Sequence, residues 1–176
     1  MEDKSPAGCP YTKNISELQK LGYDDWEVSV YRSVNGGGTG QEFPNNLKTE
    51  GDSPGNKWYD CESGETWIEA KFNQPKRIVF IQLKSANDCQ ERDPYEITFQ
   101  IKKSEESDYE LVAHYNDLTW NNRYQTLDFN IDTIDPVYSY KLIINRNRSY
   151  ALEKHWGSGT QLAEVMFFTE KTSKYY

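Results

Sequence analysis

Histidine is almost missing from this chain: His114 and His155 are the only two among 176 residues. Neither falls in a metal-ligand spacing such as HExxH, so a histidine-dependent catalytic centre is hard to assemble. Cysteine is scarce as well. Cys9, Cys61 and Cys89 are odd in number and irregularly spaced, which argues against a disulfide framework and for free thiols in a reducing compartment. A thiol dyad of Cys61 or Cys89 with His155 has no supporting motif. No window approaches the roughly 18 consecutive apolar residues of a membrane span. The opening MEDKSPAGCPYTKN is charged where a secretory signal needs an apolar h-region. Positive charge is in deficit, with 20 Lys+Arg against 28 Asp+Glu and a formal net charge of −8. That field opposes affinity for nucleic acid and for anionic membranes. No glycine loop leads into a helix as a phosphate cradle does, so nucleotide chemistry is not expected. The expectation is an intracellular, cytoplasmic protein that is not an enzyme.

What the chain has in quantity is aromatic surface, with 13 Tyr and 5 Trp, and a length suited to one domain with a sizeable core. Residues 1–24 read as an N-terminal tail with a short helix, NISELQKLG, capped by Asn14 or Ser16 and stopped at Gly22. From Trp26 the apolar period becomes two. Trp26, Val28 and Val30 alternate with Glu27, Ser29 and Tyr31, a strand signature. Residues 35–57 form a long loop rich in glycine, asparagine and proline. In the strand that follows, Trp67, Glu69 and Lys71 share one face, and Ile68, Ala70 and Phe72 the other. Further strands are expected over 77–85, 96–102, 109–115, 124–131, 138–145 and 161–168, with breakers such as Asn73-Gln74-Pro75, Asp93-Pro94 and Asp135-Pro136 between them. The 77–85 segment is apolar on both faces at its start and belongs in the middle of a sheet. About eight strands without a long helix imply an all-β antiparallel sandwich or jelly roll over 25–170, with a C-terminal tail over 171–176.

The order of four segments carries a resemblance: GDSPGNKW leading to Trp58, TWIEAKF, KRIVFIQLKSAND, and the closing QLAEVMFF. Together they resemble the discoidin, or coagulation-factor type C, branch of the galactose-binding-like superfamily over roughly residues 26–169. SANDCQERDP and WNNR are similar to the modules of cytosolic peptide:N-glycanase-related proteins. The resemblance implies an eight-stranded antiparallel jelly-roll β-sandwich whose end loops bind sugars, lipids or proteins, without catalysis. The disulfide joining the ends of many secreted members is absent, which suits an intracellular member.

The resemblance also implies a structural calcium ion where the loop before Trp58 meets the closing strand. The matching positions are Glu50, Asp52, Asn56 and Glu164, although Glu50-Gly51-Asp52 stands where relatives usually carry Asp-Gly-Asp. The alternative is that these acids are solvated turn residues and that Glu164 satisfies backbone amides. Asp88, Arg92 and Asp93 read as an ion-pair motif pinning the crossover, with a ligand clamp as the alternative. Trp120 and Arg123 read as a buried anchor and its polar partner. Among exposed aromatics, Trp156 lies in a polar, glycine-ended loop and, with Asn147, Arg148, Tyr150 and His155, could form a binding lip beside the 35–43 loop around Gly36–Gly40; the alternative is an end cap of the sandwich.

Two functions follow. One is a non-catalytic interaction or scaffold subunit bound to protein partners in a larger assembly, cytoskeletal or ciliary by analogy with the intraflagellar-transport subunit built from one such domain. The other is a carbohydrate-binding module for glycans or glycoproteins.

Overall fold

The computed structural model describes residues 14–32, 41–131, 133–155 and 159–172. Its strands in chain order are β1 (Leu18–Lys20), β2 (Trp26–Val30), β3 (Trp58–Asp60), β4 (Thr66–Lys76), β5 (Phe80–Lys84), β6 (Pro94–Lys102), β7 (Glu110–Tyr115), β8 (Thr126–Asn130), β9 (Val137–Asn147), β10 (Thr160–Leu162) and β11 (Glu164–Glu170). Among the described residues the one α-helix is α1 (Arg148–Glu153), between β9 and β10. A five-stranded sheet runs β2-β4-β9-β6-β7, a four-stranded sheet runs β1-β11-β5-β8, and β3 pairs with β10 in a ribbon. All these pairings are antiparallel. The all-β sandwich expected from the period-two pattern is the observed fold, with β1 and β3 as short additions and the closing strand split into β10 and β11.

Alternation decides which side chains enter the core. Ile68, Ala70 and Phe72 of β4 are each 2% exposed, while Trp67, Glu69 and Lys71 stay on the outer face. Ile97, Phe99 and Ile101 of β6 also point inward. β5 sits between β11 and β8 and is buried on both faces at its start, with Gln82 and Lys84 only partly covered. Its Ile81 and Leu83 join the main core, and Phe80 joins Leu18, Met166 and Phe168 in a smaller cluster on the opposite face. At the centre, Phe167 meets Trp26 and Phe72 edge-on, at centroid distances of 5.1 and 5.4 Å.

The N-terminal segment differs from the expected helix. Ile15–Glu17 make a single 3-10 turn capped by Asn14, and β1 then pairs with β11, Leu18 opposite Glu170. So short a segment cannot offset the cost of nucleating a helix, whereas the edge of β11 offers ready backbone partners. The sandwich therefore begins before residue 25. The closing segment divides at Ala163: Leu162 pairs with Trp58 and Glu164 with Lys84. The expectations for residues 1–13, Gly36–Gly40, Trp156 and residues 173–176 fall outside the described residues.

Buried polar groups hold the loops at one end. Lys57 is only 2% exposed, and its ammonium donates to Asp88 Oδ1 at 2.7 Å and Gln161 Oε1 at 3.0 Å and pairs with Glu42 at 3.3 Å. Three separate segments thus meet one charge. Asp93 is fully buried and takes the Arg123 guanidinium in two parallel hydrogen bonds, and the Trp120 indole donates to the Pro94 carbonyl at 2.7 Å. Asn147 accepts from Tyr150 N–H at 2.9 Å, capping α1, and donates to the Gly159 carbonyl at 2.7 Å. Gly159 has φ +100°, and a Cβ there would lie 2.1 Å from the Asp60 carbonyl oxygen.

Two outcomes follow from this end of the molecule. Gly159→Ala should cost about 3 kcal/mol in urea unfolding through clash and backbone strain. Gly64→Ala, also at positive φ but with no neighbour within 4 Å, should lose about 1 kcal/mol; equal losses would refute the close-approach explanation. Burial alone would raise the Asp88 carboxyl, but the hydrogen bond and charge of Lys57, with Gln161 and Arg92, hold it below the usual carboxylate range. A carboxylate with a folded pKa below its unfolded value, about 3.9, adds stability above that pH and loses it as pH falls through the folded value. Stability should therefore decline below about pH 4, and the decline should be shallower in Asp88→Asn. An acid limb of unchanged slope in that variant would remove Asp88 from the explanation.

Candidate functional site

The strand register brings two loops to one end of the five-stranded sheet, because Pro94 at the start of β6 lies opposite Asn147 at the end of β9. Before β6 the chain turns through Cys89, at φ 42°, into the 3-10 turn Gln90–Arg92. After β9 it enters α1, whose first N–H, on Arg148, donates to the Asp93 carbonyl at 2.9 Å. The Arg123–Asp93 pair thus also sets the position of α1.

Between the turn and the helix lies an open cleft of about 530 Å³, lined by Gln90, Glu91, Arg148, Ser149, Leu152, Glu153 and His155. Leu152 is 60% exposed and supplies an apolar spot. The Arg148 charge acts on the buried Asp93 carboxylate, offsetting part of the burial that raises its pKa. His155 Nε2 lies 2.8 Å from Glu153, and its Nδ1 lies 3.4 Å from the Ser149 hydroxyl. This serine, histidine and carboxylate do not form a hydrolytic triad. Ser149 is 4% exposed, its contact is long, and Glu153 stands in solvent where it cannot orient a desolvated imidazole. The group suits hydrogen bonding to a ligand better than nucleophilic attack.

Of the expected lip, the fold brings Arg148 and His155 together in the cleft. Tyr150 faces the Arg146 guanidinium instead, 5.9 Å from its ring centre. Ser149, Leu152 and Glu153 went unread because residues 148–153 looked like loop, and Gln90 and Glu91 because they reach the cleft only through the β6–β9 register. The available signal was Asn147, a strong N-cap residue ahead of a short run without breakers.

The acids of the expected ion-pair motif meet cations remote in sequence. Asp93 is held by Arg123, and Asp88 by Lys57. The Arg92 guanidinium lies over the Tyr59 ring at 4.4 Å.

Of the four residues matched to a calcium site, Glu50 and Glu164 meet at the Lys20 ammonium, while Asp52 and Asn56 are engaged elsewhere. Glu164 accepts from the Lys20 ammonium at 3.1 Å and from the Tyr23 hydroxyl. Glu50 takes the same ammonium at 3.3 Å, and Asp52 pairs with Lys84. Asn56 turns its amide N–H₂ toward the Glu50 and Gly51 carbonyls, at 3.4 and 2.9 Å. Calcium requires six to eight oxygens around one centre. Here two ammoniums and an amide donor stand among the candidate oxygens, so this arrangement does not fit the ion.

No protein-family model matches the sequence, and no curated protein does. Solved structures match over most of the chain. CpGH89CBM32-5 from Clostridium perfringens, in complex with GalNAc-β-1,3-galactose, superposes with a TM-score of 0.68 at 9% identity, covering 86% of this chain and 100% of that one. The family 32 carbohydrate-binding module of C. perfringens NanJ, in complex with galactose, gives 0.65 at 11% identity, covering 86% and 99%. An F5/8 type C domain from Bacteroides fragilis gives 0.65 at 13% identity, covering 89% and 99%. With strand order, core alternation and these superpositions in agreement, the chain has the F5/8 type C, or galactose-binding-like, β-sandwich fold.

Proposed function

We propose that this domain is a non-catalytic carbohydrate-binding module whose ligand enters the cleft between α1 and the Gln90–Arg92 turn. The observation that carries this reading is the meeting of the Arg148 guanidinium with Gln90, Ser149, His155 and the exposed Leu152 around one open cleft. A sugar offers neighbouring hydroxyls to a planar fork of donors and an apolar C–H face to an aliphatic side chain. Glu91 and Glu153 at the rim supply acceptors for further hydroxyls. Two of the similar solved structures have galactose or a galactose-containing disaccharide as their named ligand, which makes galactose-terminated glycans the first to try.

A second reading rests on a different surface. On the outer face of the five-stranded sheet, Tyr31 is 56% exposed and tilts against Trp67 at 5.9 Å. Trp67 is followed across the sheet by Ile143, and Leu111 at the far edge is 49% exposed. Half-exposed aromatics of this kind serve as protein hot spots. In this reading the domain is an intracellular scaffold subunit meeting protein partners in a larger assembly, cytoskeletal or ciliary.

Both readings are tested on the same purified domain. On columns of immobilised galactose-terminated glycans, Arg148→Ala should reduce retention at least about tenfold, the loss expected for a charged hydrogen-bond donor, without moving the thermal midpoint. Free galactose should elute the parent protein, and a parent protein that no glycan retains would reject the first reading. For the second, Tyr31→Glu should abolish co-purification with a defined complex at native expression level while leaving glycan retention intact. Capture that free sugar releases would count against it.

A further inference from the structure

The junction of the 49–56 loop with β11 contains two carboxylates that the glycan cleft does not use. Glu164 is 4% exposed, and a carboxylate so buried is costly unless paired. Glu50 reaches the same point from the loop. Between them stands the Lys20 ammonium at the end of β1, 144 residues from Glu164 and 30 from Glu50 along the chain. Its acceptors are the Tyr23 hydroxyl at 2.7 Å, Glu164 at 3.1 Å and Glu50 at 3.3 Å. An ammonium has three N–H donors, so this set uses all of them. The Tyr23 hydroxyl in turn donates a hydrogen bond to Glu164. Burial first, and then that hydrogen bond and the Glu164 charge, push the phenol pKa upward, which keeps Tyr23 a donor.

We infer that Lys20 is a cation supplied by the chain itself, standing where relatives of this fold would be expected to place a divalent ion, so that the sandwich closes without metal. Three features fit a built-in cation. The ammonium answers a buried carboxylate on β11 and shares its charge with an exposed one on the loop. Asn56 Nδ2 satisfies the Glu50 and Gly51 carbonyls that a metal would otherwise draw inward. Lys84, paired with Asp52 and opposite Glu164 in the ladder, adds a second positive charge that disfavours an incoming dication. A covalently attached cation also has a mechanical consequence absent with a free ion. It ties the edge strand β1 to the loop before β3, so the N-terminal segment and the loop open together.

Thermal unfolding of the whole chain in EDTA and in millimolar calcium tests the inference. The parent protein should unfold at the same temperature in both. Lys20→Met keeps the aliphatic stem and removes the charge. It should lower the midpoint in EDTA by about 4 °C or more, speed amide exchange over Leu18–Leu21, and regain part of the loss when calcium is added. A parent protein stabilised by calcium would overturn the inference, as would a Lys20→Met protein as stable as the parent. A variant destabilised yet indifferent to calcium would reduce Lys20 to an ordinary salt bridge and overturn it too. If Lys20→Met does not fold, Glu164→Gln and the Lys20→Met/Glu164→Gln pair take its place. The pair should fold and lie near Glu164→Gln in stability, because the buried charge that Lys20 answers is gone. A pair that also fails to fold would overturn the inference.

Discussion

A buried ammonium organises the working end of this sandwich. Lys57 lies just before β3, almost without solvent contact, and its charge is answered by Glu42, Asp88 and Gln161. A lone charge in that position would be prohibitive, whereas one with three polar partners is tolerated and locks those partners in place. The three come from the loop ahead of β3, the β5–β6 connection and β10. Removing the charge would cost more than one ion pair, because Glu42 would remain buried and unanswered. The β5–β6 connection held by Asp88 goes on to line the cleft with Gln90 and Glu91, so the geometry of the candidate ligand site depends on how well this charge is satisfied.

The two sheets provide the rigidity that such a network needs. Phe167 and Phe129 of the four-stranded sheet each meet aromatic rings of the five-stranded sheet across the core, and edge-on ring contacts allow little sliding. Against that frame the loop ends are set by discrete devices: the Arg123 fork on Asp93, the Asn147 cap, and a glycine at position 159 where no side chain fits. A second junction uses a comparable solution, with Lys20 bridging β1, the 49–56 loop and β11. Two lysines thus tie the loop before Trp58 to segments remote in sequence.

Much of the architecture was legible in the sequence. Alternation in TWIEAKF and EITFQIK assigned inward and outward faces, since a one-residue shift in a strand turns every side chain over. RIVFIQLKS read as central because it is apolar on both faces. The N-terminal helix did not form, since Leu18 and Leu21 fit a helix face but were recruited by the edge of β11. The closing strand was legible as one unit, and its division at Ala163 was not, because the division depends on which partners lie on either side. α1 went unread because six residues are too few for a helical period to emerge, although its cap at Asn147 was visible.

For the candidate site the division is sharper. Arg148 and His155 were identifiable as chemistry near a loop, but Gln90 and Glu91 became their neighbours only through the pairing of Pro94 with Asn147. Asp88 and Asp93 could be read as charges needing partners. Lys57 and Arg123 could be named as those partners only once the chain was folded. By itself the sequence determined the fold class, the strand faces and the aromatic core, because these depend on short-range periodicity and on the free energy of burying apolar surface. The tertiary structure decided which charge answers which, and whether acids near one another in the loop meet a metal or a lysine. Electrostatic pairing acts through space and is indifferent to distance along the chain.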